Sequence, residues 1–197
     1  MKNIRTIALA AALSGAAATA HAETGSFSCI AGTAGDCSLA ESTLSWAWNG
    51  LDFTIANSGV GYVSEVYFDL SAGMGASFLR GTGTVAFHAG SAPPSLPGGN
   101  TVGFVSDAGF DSDAGGGPPI FGINAGETAT FRVTGATLGS FDDDTLAAGV
   151  HVRSLITSSA SLITTVTTPV PEPSTYGLLL AGLGVVGFVS RRRAKRA

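Results

Sequence analysis

The segment STLSWAWNGLDFTIAN, Ser42 to Asn57, constrains the fold more tightly than any other part of this chain. Two alternating runs flank Asn49-Gly50. Leu44, Trp46 and Trp48 share a face in the first, and Leu51, Phe53 and Ile55 share a face in the second. A period of two is what a half-buried strand requires, because successive side chains point to opposite sides. Asn and Gly both tolerate positive φ, so the pair predicts a two-residue type I′ turn and the segment a β-hairpin. A lone hairpin is not stable in water, so other strands must cover its apolar face.

Such strands recur along the chain: VSEVYFDL (Val63–Leu70), TVAFHA (Thr84–Ala89), TVGFVS (Thr101–Ser106), ETATFRVTG (Glu127–Gly135), GVHVRSLIT (Gly149–Thr157) and ASLITTVTT (Ala160–Thr168). Val63, Glu65 and Tyr67 are expected on one face, with Val66, Phe68 and Leu70 on the other. Ala129, Phe131 and Val133 point together, as do Val150, Val152 and Ser154. No stretch between Glu23 and Pro169 keeps a helical period for long. Loops such as SAPPSLPGGN and DSDAGGGPP punctuate the runs. The expected fold is all-β, a single antiparallel β-sandwich of jelly-roll-like or Ig-like type, with a closed barrel as the alternative.

The termini set the compartment. Lys2 and Arg5, an apolar run from Ile7 to about Ala18, and then Ala20-His21-Ala22 read as a signal peptide over residues 1–22. Signal peptidase is expected to cut between Ala22 and Glu23. The body, 23–169, is long enough for one domain with its own core. It holds three arginines (Arg80, Arg132, Arg153) against thirteen acids and contains no lysine. That balance speaks against nucleic acid and anionic membrane surfaces as partners of the body, since both need a basic patch. In an oxidising compartment Cys29 and Cys37, closing the short loop IAGTAGD, read as a disulfide. A zinc site would need further ligands nearby, and none is present in that loop.

The last residues, 170–197, have three parts: VPEPST, an apolar run from Tyr176 to Val189, and RRRAKR. The run is 14 residues, about 21 Å as a helix, against a hydrocarbon core of about 30 Å. The basic cluster places its far end in the cytoplasm. The arrangement resembles the PEP-CTERM sorting signal of Gram-negative bacteria. The matching residues are Val170, Pro171, Glu172, Pro173 and Ser174, then the short transmembrane helix, then Arg191, Arg192, Arg193, Lys195 and Arg196 as stop-transfer cluster. The resemblance implies an exosortase as partner, a membrane cysteine protease-transpeptidase that removes the tail. It implies a chain held transiently in the inner membrane, then delivered to the cell surface or an exopolysaccharide-containing matrix. The body, through GINAGETATFRV followed by GVHVRSLI, is similar to a recurrent type of PEP-CTERM ectodomain.

Catalytic signatures are sparse. His88 and His151 are the two histidines of the body, each in an expected strand, and neither G-x-S-x-G nor H-E-x-x-H occurs. Asp111 and Asp113 open like a calcium loop, but the next ligand position is Gly115 and the twelfth is Gly122. Those two aspartates remain the calcium candidates, beside the turn acids Asp142, Asp143 and Asp144. Trp46 and Trp48 are expected in the core; exposed, they would form a sugar-stacking platform. The expectation is an exported, non-enzymatic envelope or matrix protein with no cofactor. A carbohydrate- or calcium-binding module is the alternative, and a hydrolase built on His88 or His151 the third reading.

Overall fold

The structure, a computed structural model, describes residues 22–59, 61–112 and 121–166. The signal peptide and the sorting tail lie outside these residues, as does Asp113. Among the described residues there are ten strands: β1 (Glu23–Ala31), β2 (Leu44–Trp48), β3 (Asp52–Asn57), β4 (Tyr62–Leu70), β5 (Gly75–Gly81), β6 (His88–Ala89), β7 (Ala108–Asp111), β8 (Glu127–Thr134), β9 (Leu146–Arg153) and β10 (Ser159–Val166). They form one continuous sheet in the order β5-β8-β3-β2-β1-β10-β9-β4-β7-β6, and each ladder between neighbours is antiparallel. The first and last strands of the body therefore meet at the centre, with Gly25 opposite Val166.

The sheet curls until β5 at one end runs beside β6 and β7 at the other. Its concave side holds the core. Phe131 on β8 meets Phe68 on β4 at 5.5 Å and Phe110 on β7 at 5.1 Å between ring centroids. Trp46, Trp48, Phe53 and Ile55 are at most 2% exposed, so both tryptophans belong to the core and form no sugar platform. Ala129, Phe131 and Val133 face inward together, fully buried.

Several expectations change in detail. The β2–β3 hairpin forms, but Gly50 alone takes positive φ (+90°), and the turn is not type I′. The Asn49 side-chain carbonyl instead accepts from the amides of Leu51 and Asp52 at 3.0 and 2.7 Å, a local side-chain turn that does not require positive φ at Asn. Leu51 leaves the strand and is exposed. In β4 a bulge between Val63 and Glu65 inserts one residue, so Val63 turns inward with Val66 and Phe68 while Glu65 and Tyr67 face outward. One extra residue is enough to exchange faces.

Thr101–Ser106 is not a strand; Gly99–Val102 is a 3-10 turn between glycines 98 and 103, both at positive φ. The loop through it lays Leu96 and Phe104 on the convex face against Tyr67, and the Tyr67 hydroxyl donates to the Pro93 carbonyl at 2.8 Å. At Gly149 a Cβ would run into Leu96 at 2.5 Å and Phe104 at 3.2 Å. Only a side chain this small lets the loop cover the sheet there.

A helix, α1 (Ala34–Thr43), follows β1 where only a loop was expected. Thr33 caps it, accepting from the Asp36 amide and satisfying one of the free amides of the first turn.

Candidate functional site

Of the expected sites, those in the body other than Asp113 lie within the described residues. The ladders align five of its polar residues in one lateral row across the convex face. His88 on β6 lies opposite Asp111 on β7, Asp111 opposite Glu65 on β4, Glu65 opposite His151 on β9, and His151 opposite Ser161 on β10. Each histidine thus has an acid as cross-strand neighbour. The two histidines are three strand intervals apart, about 14 Å at the usual spacing.

Glu65 stands at the row's centre because alternation along β4 sets it opposite Val66 and Phe68, and the bulge before it turns only Val63 to the core side. Glu65 is nevertheless 1% exposed, because the Arg153 guanidinium pairs with its Oε1 and the Ser64 hydroxyl donates to Oε2. Burial raises the Glu65 pKa; the Ser64 hydrogen bond and the Arg153 charge oppose that shift without cancelling it. His151 Nδ1 and Ser161 Oγ are 2.9 Å apart. Burial, then the Arg153 charge, hold the His151 pKa down to about 4, so the ring is neutral at pH 7.

A serine next to a neutral histidine next to a carboxylate has the composition of a hydrolytic set, but not its geometry. A working nucleophile must be open to substrate, with the base oriented by the carboxylate. Ser161 is 1% exposed, and both oxygens of Glu65 are engaged elsewhere. Among the described residues no three His, Cys, Asp or Glu side chains come close enough to hold a metal ion. Asp111 sits in the β4–β7 ladder. In the turn acids, Asp143 accepts from the Thr145 hydroxyl and amide at 2.6 and 3.1 Å, and these bonds lower its pKa.

Two surface depressions among the described residues are shallow. One, about 490 Å³, lies on β1, β2 and β3 and is floored by Thr24, Ser26, Ser45, Ala47, Thr54 and Ala56. Gly25 and an edge of the buried Trp46 complete its lining, which holds no charged group. The other, about 480 Å³, lies beside β6 and β7, and its one acid, Asp107, already accepts from the Leu70 amide.

The ends of the sheet carry the remaining features. At one end Cys37 on α1 is disulfide-bonded to Cys29 on β1. Beside it Asp36 accepts from the Thr157 hydroxyl and amide, the Ser158 amide and the Thr33 hydroxyl. These bonds, the Thr157 hydroxyl foremost, hold its pKa down to about 2 against its burial. At the other end the loop from Gly135 to Thr145 closes the core. Its Phe141 stacks on Trp46 at 4.7 Å and on Phe53 at 5.3 Å, and the Trp48 indole donates to the Thr137 carbonyl. Glu23, the residue after the expected signal-peptide cut, pairs with Trp48 at this end and accepts from the Gly139 amide. Val166, the last residue of β10, lies there too. Phe141 was the missed residue: a lone aromatic in a Gly, Ser and Asp loop is its only sequence signal.

Residues 169–193 match the family model of the PEP-CTERM protein-sorting motif. The match covers Val170 to Ser174, the apolar run and Arg191 to Arg193. It marks an exported protein carrying a membrane-anchored sorting signal that an exosortase handles. Comparison with curated proteins and with solved structures gave no match.

Proposed function

We propose that this exosortase-sorted chain is a non-enzymatic structural component of the bacterial envelope or of its exopolysaccharide matrix, whose body is a rigid, acidic β-module. The carrying observation is the sorting motif placed directly after the last strand of the sheet: β10 ends at Val166 and the match begins at residue 169. In this reading the short apolar run holds the chain at the inner membrane, with Lys195 and Arg196 on the cytoplasmic side, until an exosortase cuts it. Once the tail is gone, thirteen acids against three arginines leave the body without affinity for anionic lipid.

Burial of Ser161 supports the non-enzymatic reading, since it takes the hydroxyl beside His151 out of reach of substrate. A fluorophosphonate probe is expected to leave native protein unlabelled; an adduct on Ser161 would revive the hydrolase. The sandwich reading of the sheet is supported by the short ring contacts from Phe68 on β4 to Phe53 on β3 and Phe131 on β8, two neighbouring strands that lie far from β4 in the ladder order. The sorting proposal is tested by locating the chain in the native host with and without exosortase activity. Full-length chain should accumulate in the inner membrane when the enzyme is absent and leave it when present. An unchanged distribution contradicts the proposal.

A further inference from the structure

Signal peptide and sorting tail leave the body from the same end of the sheet. Glu23 and Val166 sit on neighbouring central strands, with Gly25 opposite Val166, which puts the two residues about 8 Å apart by ordinary strand spacings. Three residues, Thr167 to Pro169, separate Val166 from Val170. Even fully extended, that chain reaches only about 14 Å. A protease gripping Val170 to Ser174 must therefore come up against this end of the body.

The same end exposes two leucines. Leu51, at the tip of the β2–β3 turn, is 45% exposed and Leu138 is 44% exposed. They share one patch, because a Cβ on Gly50 would lie 3.4 Å from Leu138 Cγ. Leu138 directly precedes Gly139, whose amide is held by the Glu23 carboxylate. Other large apolar side chains are exposed elsewhere on the body, but Leu51 and Leu138 stand together at the end where the tail begins, within reach of the processing site, and form a contact surface there.

We infer that the Leu51–Leu138 patch is the surface on which the exosortase's outer rim rests while it cleaves the tail. The inference relies on the exosortase reading above and adds which part of the body the enzyme touches. Contact there seats the motif at a fixed distance from the enzyme, using the fold itself as a stop.

The test places benzoylphenylalanine at Leu51, Leu138, Ile156 or Thr175 in the full chain, made alongside an exosortase inactivated at its catalytic cysteine. Ile156 is 70% exposed and lies in the β9–β10 turn at the far end of the sheet. Irradiation should give exosortase adducts from Thr175, Leu51 and Leu138 and several-fold less from Ile156. A ten-residue Gly-Ser insertion after Val166 should cut the Leu51 and Leu138 adducts several-fold and keep that from Thr175. The inference is overturned if Thr175 gives an adduct while the two leucines do not, or if Ile156 matches them. No adduct from Thr175 overturns the exosortase reading itself, and this inference with it.

Discussion

At one end of the curled sheet, α1 is held by a disulfide to β1 and by an aspartate that accepts four hydrogen bonds. At the other, the core is stopped by Phe141 lying between Trp46 and Phe53. A covalent link and hydrogen bonds to a carboxylate thus secure the end turned away from the tail. Aromatic packing secures the end from which both termini leave. The difference teaches a division of labour: the far end is fastened within itself, whereas the tail-proximal end combines a closed core with an exposed leucine pair and a cleavable extension.

The largest effect separating the ends is expected from Phe141→Ala. Truncating this buried ring should cost about 3–5 kcal/mol, read as a lower denaturant midpoint with increased amide exchange at Trp48 and Asp52. If exchange rises as much in α1, the two ends are not independent. Replacing Cys29 and Cys37 by serine comes next. Releasing so short a loop should cost about 2–3 kcal/mol in the chain-entropy model. The loosening should appear in α1 and leave the β2–β3 hairpin protected.

Acid should separate the far end from the convex row. The folded pKa of Asp36, about 2, lies below its ordinary 3.8. Its contribution is therefore complete above pH 4 and lost as pH falls towards 2. His151, at about 4 against 6.5, favours the neutral ring, so its contribution is complete above pH 6.5 and lost as pH falls through 4. Glu65, whose pKa is raised, acts in the opposite sense and loses stability as pH rises above its ordinary value. Melting temperature against pH should lose its upper acid step in His151→Asn and its lower one in Asp36→Asn. One step removed by both variants would contradict the separation. The smallest effect is that of Leu138→Ser, an exposed site, which should change stability by no more than about 0.5 kcal/mol while weakening exosortase crosslinking.

How much of this was legible depends on where the information sits. The hairpin, the inward face of β8 and the burial of both tryptophans follow from period-two alternation and were readable. Helix α1 was missed because AGDCSLAEST has no apolar stripe, although Thr33 followed by Asp36 three residues on is a capping signature. Strands β1 and β5 were missed because ETGSFSCIA and GASFLRG dilute their alternation with glycine and serine. The β4 bulge is invisible in composition, yet it decides that Val63 joins Val66 and Phe68 in the core rather than Glu65 and Tyr67 outside it. The row itself is a property of register between five strands, which no local pattern encodes. The sorting signal was fully legible because it is linear.

Intact mass of the protein recovered from the native host's envelope and medium tests the central claim most directly. The account predicts loss of residues 1–22 together with loss of the tail through a cut near Val170 to Thr175. A recovered mass that still includes Arg191 to Arg196 would contradict it and make the tail a permanent anchor.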